Sequence, residues 1–200
     1  MSRSSAHFWP DDDRLEVRIE PFETQLLCEL IGQVRALLME RATEVGAGQP
    51  FAVELDDEEA LIASLESALT PLPPPSDEVI ARLLPGGRMD RSEHADASAA
   101  EFRRLTEDDL RRTKITDADK ALEALGRIES EPTMSLTEGE QLLRAINDVR
   151  LSLGARLNVE EDTAYPRKIR NEHDQALAVY FWTGGLQEEL VEAVMTLDLG

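Results

Sequence analysis

The stretch Pro21-Phe22-Glu23-Thr24-Gln25-Leu26-Leu27-Cys28-Glu29-Leu30-Ile31-Gly32-Gln33-Val34-Arg35-Ala36-Leu37-Leu38 decides the fold class. Phe22, Leu26, Leu27, Leu30, Ile31, Val34, Leu37 and Leu38 recur at i, i+3, i+4 spacing, which predicts one apolar face of an α-helix. Pro21 stands at the first helical position, where its missing N–H costs nothing, and Gly46 and Gly48 are expected to end the helix. Toward the N-terminus the period changes. Leu15, Val17 and Ile19 alternate with Glu16, Arg18 and Glu20, and Phe8-Trp9 lies upstream across Pro10 and three aspartates. That pattern predicts a short β-hairpin within residues 8–20, which must lie on the helices because two strands alone are marginal.

Downstream, helical patterns dominate. Asp56 and Asp57 precede an expected helix through Ala68, carrying Leu61, Ile62, Leu65 and Leu69. Residues 71–76 form a Pro-rich connector, and a short helix follows near Asp77–Leu84. The polar residues between 86 and 97 are expected to form a flexible loop. From Ala99 the pattern is helical again, with Phe102, Leu105, Leu110, Ile115, Ala118, Leu122, Leu125 and Ile128, as one long helix or as two with Thr116 as a cap. Thr137 and Glu140 are spaced as a capping box for a helix carrying Leu142, Leu143, Ile146, Val149, Leu153 and Leu157. A last helix runs from Asn171 to Leu197 and is expected to bury Leu177, Tyr180, Phe181, Leu186, Leu190, Val194 and Met195. Gly184-Gly185 inside it predicts a bend or a close helix contact. The expectation is mainly α: a multi-helix globular bundle with a short N-terminal β-hairpin, as a single helical domain over 1–200.

Composition supports a packed domain. Of 200 residues, 42% are apolar, enough for a core without metals or disulfides. The longest strongly apolar run, near Leu26–Ile31, falls far short of the roughly 20 residues of a membrane span, so no membrane role is expected. Residues 1–10 lack the apolar core of a secretory signal, so the chain is expected to be cytoplasmic. The 41 acids against 21 bases give a net charge of −20, spread over both halves of the chain. Phosphate binding needs a basic face, so the balance favours basic-surfaced partners over nucleic acid.

The sequence carries no recognisable chemistry of an enzyme. His7, His94 and His173 are scattered and read as surface residues. The acidic runs Asp11–Asp13, Asp56–Glu59 and Glu160–Asp162 lack the alternation and glycine of a calcium loop, and carboxylates at turns and helix starts explain them better. No phosphate loop or serine elbow occurs. No catalytic residue, metal or cofactor is therefore assigned. The lone Cys28 is the one redox candidate; its acidic neighbours Glu23 and Glu29 would raise the thiol pKa, and a small half-buried hydrophobe is the alternative. Arg103, Arg104, Arg111, Arg112 and Lys114 form the densest basic cluster, interleaved with acids. It reads as a salt-bridged helix face or as a docking face for an acidic partner.

Three stretches carry a resemblance: Glu101-Phe102-Arg103-Arg104-Leu105-Thr106-Glu107-Asp108-Asp109-Leu110-Arg111, Ala145-Ile146-Asn147-Asp148-Val149-Arg150-Leu151-Ser152-Leu153-Gly154-Ala155-Arg156-Leu157, and Tyr180 to Val191 around Leu186-Gln187-Glu188. Together they resemble the actinobacterial oxidative-stress regulator (AosR-like) family, long described as a domain of unknown function. The resemblance implies a non-enzymatic regulator associated with transcription, acting through RNA polymerase or a sigma factor. A thiol-pair switch does not carry over, because Cys28 has no second cysteine. The partner-binding face is assigned to Arg103, Arg104, Arg111, Asn147, Arg150 and Arg156. Ion pairs between the helices of the first two motifs would account for the same residues structurally. Direct DNA binding by a homodimer and a purely structural oligomeric role stay open as alternatives.

Overall fold

The computed structural model describes residues 7–45, 72, 74–86 and 93–198, without the side chains of 93–99 and 104. The helix expected over 56–68, its acidic start, Gly46 and Gly48, and part of the connector at 71–76 lie outside the described residues, as does the side chain of His94.

The N-terminal hairpin forms as expected. Strand β1 (Phe8–Asp11) pairs antiparallel with β2 (Arg14–Val17), Phe8 opposite Val17 and Asp11 opposite Arg14. Pro10 is tolerated because β1 is an edge strand. Asp12 takes a left-handed φ of 50° in the turn, a conformation aspartate accepts better than most residues, so part of the first acidic run serves a turn. The hairpin is not alone, however. A third strand, β3 (Thr133–Ser135), pairs with the other edge of β2 and places Met134 opposite Leu15. Leu15 and Met134 are fully buried, so the sheet lays an apolar face on the helices.

Helix α1 (Pro21–Glu44) begins at Pro21 and buries Leu27, Ile31, Val34, Leu38 and Arg41. Phe22, expected in the stripe, is 70% exposed. It lies five residues before Leu27, about 140° round the helix and outside the contact line. After the short α2 (Glu78–Leu83), capped by Asp77, comes one unbroken helix α3 (Glu93–Arg127). Thr116 is interior to it, which settles the choice between one helix and two. The flexible loop expected over 86–97 is corrected over its last part, because α3 already begins at Glu93, where Ala95, Ala97, Ala99 and Ala100 favour helix. Arg35 meets Asp119 and Arg41 meets Glu107, so α1 and α3 run antiparallel. Phe102 and Leu105 fall near or past the end of α1 and stay exposed, against expectation.

Helix α4 (Leu136–Arg156) is the hub, packing on α1, α2, α3, the sheet and the last helix, α5 (Glu172–Asp198). Its capping box is Ser135 with Glu138, not Thr137 with Glu140. Ser135 is also the last residue of β3, so strand and cap share it. In α5, Leu177, Leu186, Leu190 and Val194 are buried and Tyr180 and Phe181 half-buried, while Met195 is exposed, about 140° round from Leu190. The residues before β1 and the start of α1 are tied to α5. The His7 amide donates to Glu189 at 2.6 Å, its Nδ1 lies 3.0 Å from the same carboxylate, and Trp182 Nε1 donates to Glu23 at 3.2 Å. His7 is thus a half-buried bridge, not the free surface histidine expected.

Candidate functional site

On the face of α4 turned toward α2 and α5, Asn147, Arg150, Leu151, Gly154 and Ala155 follow helical spacing and line an open cleft of about 700 Å³. Glu78, Ala81 and Arg82 of α2 form another wall, and Tyr180 of α5 a third. The floor of the adjoining loop is set by the end of α4. Asn158 adopts φ 48°, its amide bonds to the Ala155 carbonyl at 3.3 Å, and the Val159 amide to that of Gly154 at 3.0 Å. This is a Schellman ending with asparagine in the left-handed position, and it delivers Val159 and Glu160 to the cleft rim. A second cleft of about 760 Å³ continues past them between the loop and α5, reaching Gly184, Gln187 and Glu188.

Arg150 stands between the two. Its Nη1 donates to Gln187 Oε1, and Gln187 in turn donates to Asn147 Oδ1 at 3.4 Å. Its Cζ lies 5.3 Å from the Tyr180 ring centroid, a cation–π contact. A Cβ on Gly184 would stand 3.5 to 3.6 Å from Nε, Cζ and Nη2, an ordinary contact distance, so the guanidinium packs beside α5 at this position. The close helix contact predicted from Gly184-Gly185 is not what these glycines serve: a Cβ at Gly184 would meet only the Arg150 side chain at ordinary distance, and one at Gly185 would meet nothing within 4 Å. Arg150 Nε is buried with no hydrogen-bond partner among the described residues.

Behind the cleft a charge ladder joins α3 to α4. Lys114 Nζ is 2.5 Å from Asp148, and Arg144 grips Asp117 with bonds of 2.8 and 3.1 Å. Burial pushes the Asp148 carboxyl up, and the Lys114 ammonium offsets only part of that.

A family model for a domain of unknown function, DUF2017, matches residues 4–194. The chain belongs to the DUF2017 family. Over 190 residues the DUF2017 chain is 30% identical to a protein of Mycobacterium leprae (strain TN) named "Putative oxidative stress regulator AosR", covering 88% of this chain and 81% of that one. The AosR-like resemblance of the three motifs is thereby confirmed. No solved structure matches.

The DUF2017 fold gathers only part of the assigned face. Asn147 and Arg150 share the cleft, whereas Arg156 is exposed and lines neither cleft. Arg103 is half-buried and donates to the Leu72 carbonyl at 3.4 Å; the side chain of Arg104 lies outside the described residues. Arg111 is a correction. It is 4% exposed, held by Asp108, with Nε lacking a partner among the described residues, so it is not on an open docking face. Glu107 turns inward to a buried pair with Arg41 at 2.9 Å, a meeting that only the approach of α1 creates. Ion pairs do join the two motif helices, but through Lys114, Asp117, Arg144 and Asp148, and Arg150 turns to α5. Arg82, Glu160 and the roles of Tyr180 and Gln187 were missed. The polar line Asn147, Arg150, Gly154 on α4 was the available signal for an open groove. Cys28 is half-buried, and burial raises its thiol pKa, which disfavours the reactive thiolate. Among the described residues no group of three metal-ligating side chains occurs, and no helix is long and apolar enough to cross a membrane.

Proposed function

We propose that this DUF2017 protein is a non-enzymatic, cytoplasmic regulator of the stress response that works by contacting another protein, with RNA polymerase or a sigma factor as the leading partner. The observation that carries this reading is the identity, along most of the chain, to a protein named as an oxidative stress regulator. The net charge of −20 supports a protein partner over the phosphate backbone. Among the described side chains of the assigned face, Arg156 is exposed and Arg103 half-buried, and Asn147 and Arg150 line the cleft.

The test is titration of the purified chain with RNA polymerase and with isolated sigma factors, followed by interferometry. The expected result is saturable binding that the double variant Arg103→Glu, Arg156→Glu weakens at least about ten-fold, or about 1.4 kcal/mol, with the thermal midpoint unchanged. No binding to any of them overturns the reading. Binding to duplex DNA instead, with a steep loss of affinity on adding salt, would replace it with the DNA-binding alternative. Arg111→Glu is unsuitable here, since it would place a carboxylate in the interior one turn from Glu107.

A further inference from the structure

The two clefts share four lining residues: Arg150, Val159, Glu160 and Tyr180. One cationic, one anionic, one aromatic and one branched aliphatic residue thus stand at the boundary of the two clefts. We propose that this junction binds a small zwitterion of the amino-acid class, its carboxylate on Arg150 and its ammonium toward Glu160.

The guanidinium is already fixed for the task. Gln187 occupies Nη1, the Tyr180 ring stands beside the group, and Nη2 remains without a partner among the described residues, free to take a carboxylate oxygen in a charge-assisted bond. The anion across the junction is equally available, since the Glu160 carboxylate makes no ion pair among the described residues; its backbone is pinned by Thr163 at 2.9 Å. Signs on the walls decide the ligand class. Glu78 accompanies Arg82 in the first cleft, and Glu161 and Glu188 line the second. A polyanion would meet these acids and a molecule of net charge −20, whereas a zwitterion matches both signs. Tyr180, Val159 and Leu151 offer apolar contact for a side chain. Each cleft is within the about 300–1,000 Å³ usual for small-molecule sites.

The test is isothermal titration calorimetry of the purified full chain with each standard free amino acid, then with the N-acetyl and C-amide derivatives of any that bind. The expected result is saturable binding of at least one, weakened about ten-fold or more by either derivative. Arg150→Gln should abolish binding. Glu160→Gln should weaken the free amino acid but leave its N-acetyl derivative unchanged. Failure of every amino acid to bind at millimolar concentration overturns the proposal, and so does undiminished binding in Arg150→Gln. Should that variant fail to fold, the exposed Glu160→Gln decides alone: equal affinity for the free amino acid overturns the proposal. An acidic peptide that binds more tightly than any free amino acid, in competition for Arg150, also overturns it. The assay contains no partner protein, so its failure leaves the partner reading standing.

Discussion

Asp148 is 4% exposed and has the Lys114 ammonium 2.5 Å away, yet its carboxyl is raised because burial penalises the charge more than Lys114 rewards it. The sign of the consequence follows. A carboxyl with a higher pKa folded than unfolded binds more protons in the native state, so its cost is full above the folded pKa and disappears as pH falls through that value. Thermal unfolding of the native chain and of Asp148→Asn, run from pH 7 to about pH 4, should show the native chain gaining relative to the variant as pH falls. Parallel curves would contradict it. Glu138 behaves oppositely. Burial opposes its ionisation, but the Ser135 amide and hydroxyl and the Arg127 guanidinium together hold its carboxyl below the usual value. Its contribution is present at neutral pH and lost in acid. Residues of this kind were partly legible in the sequence. Asn147 and Arg150 stand in one quoted motif, but the side chain that orients Arg150, Gln187, is 37 residues further on. Arg111 was misread because charged helix positions are assigned outward by default.

At the scale of elements, α4 shows why its glycine is where it is. A Cβ on Gly139 would overlap Leu15 Cδ1 and stand 3.3 Å from Val194 Cγ2, so β2 and α5 both press on this turn of α4. Gly139→Ala gains about 1 kcal/mol of helix propensity and incurs roughly 1–3 kcal/mol of overpacking. Leu15 is fully buried and has little room to yield, so the net expected change is a loss of about 1 kcal/mol. Gly185 has nothing within 4 Å of its would-be Cβ, so Gly185→Ala should stabilise by about 1 kcal/mol. Urea unfolding of the two variants checks the opposite signs. Long elements were legible because many residues repeat one period. Strand β3 has three residues, too few for alternation to register, and missing it displaced the expected start of α4 onto Thr137. The exposure of Phe22 and Met195 could not be read either, since a stripe fixes a face to within a turn and only the neighbouring element selects its edge.

At the scale of the whole molecule, the helical class and the hairpin followed from periodicity, while the closure of the chain on itself did not, because contacts between distant segments leave no local pattern. Phe8, Leu15 and Val17 belong to the same buried cluster as Leu142, Ile146, Leu186 and Leu190. Hairpin and bundle should therefore unfold together. Trp9 on β1 and Trp182 on α5 report on them separately, so the single-tryptophan variants Trp9→Phe and Trp182→Phe should give coincident fluorescence midpoints in denaturant. A lower midpoint when Trp9 is the reporter would show that the hairpin detaches first. The pairing of β2 with β3 also bears on birth at the ribosome. Val17 bonds to the Pro132 carbonyl at 2.9 Å, and the His7–Glu189 contact joins residues 182 positions apart. At the pace of translation the first strands wait on the order of ten seconds for their third. Until Ser135 has emerged and α5 has followed, the apolar side of the hairpin has no native cover. During that interval the nascent chain presents Phe8, Leu15 and Val17 to chaperones and proteases, although the finished protein hides all three.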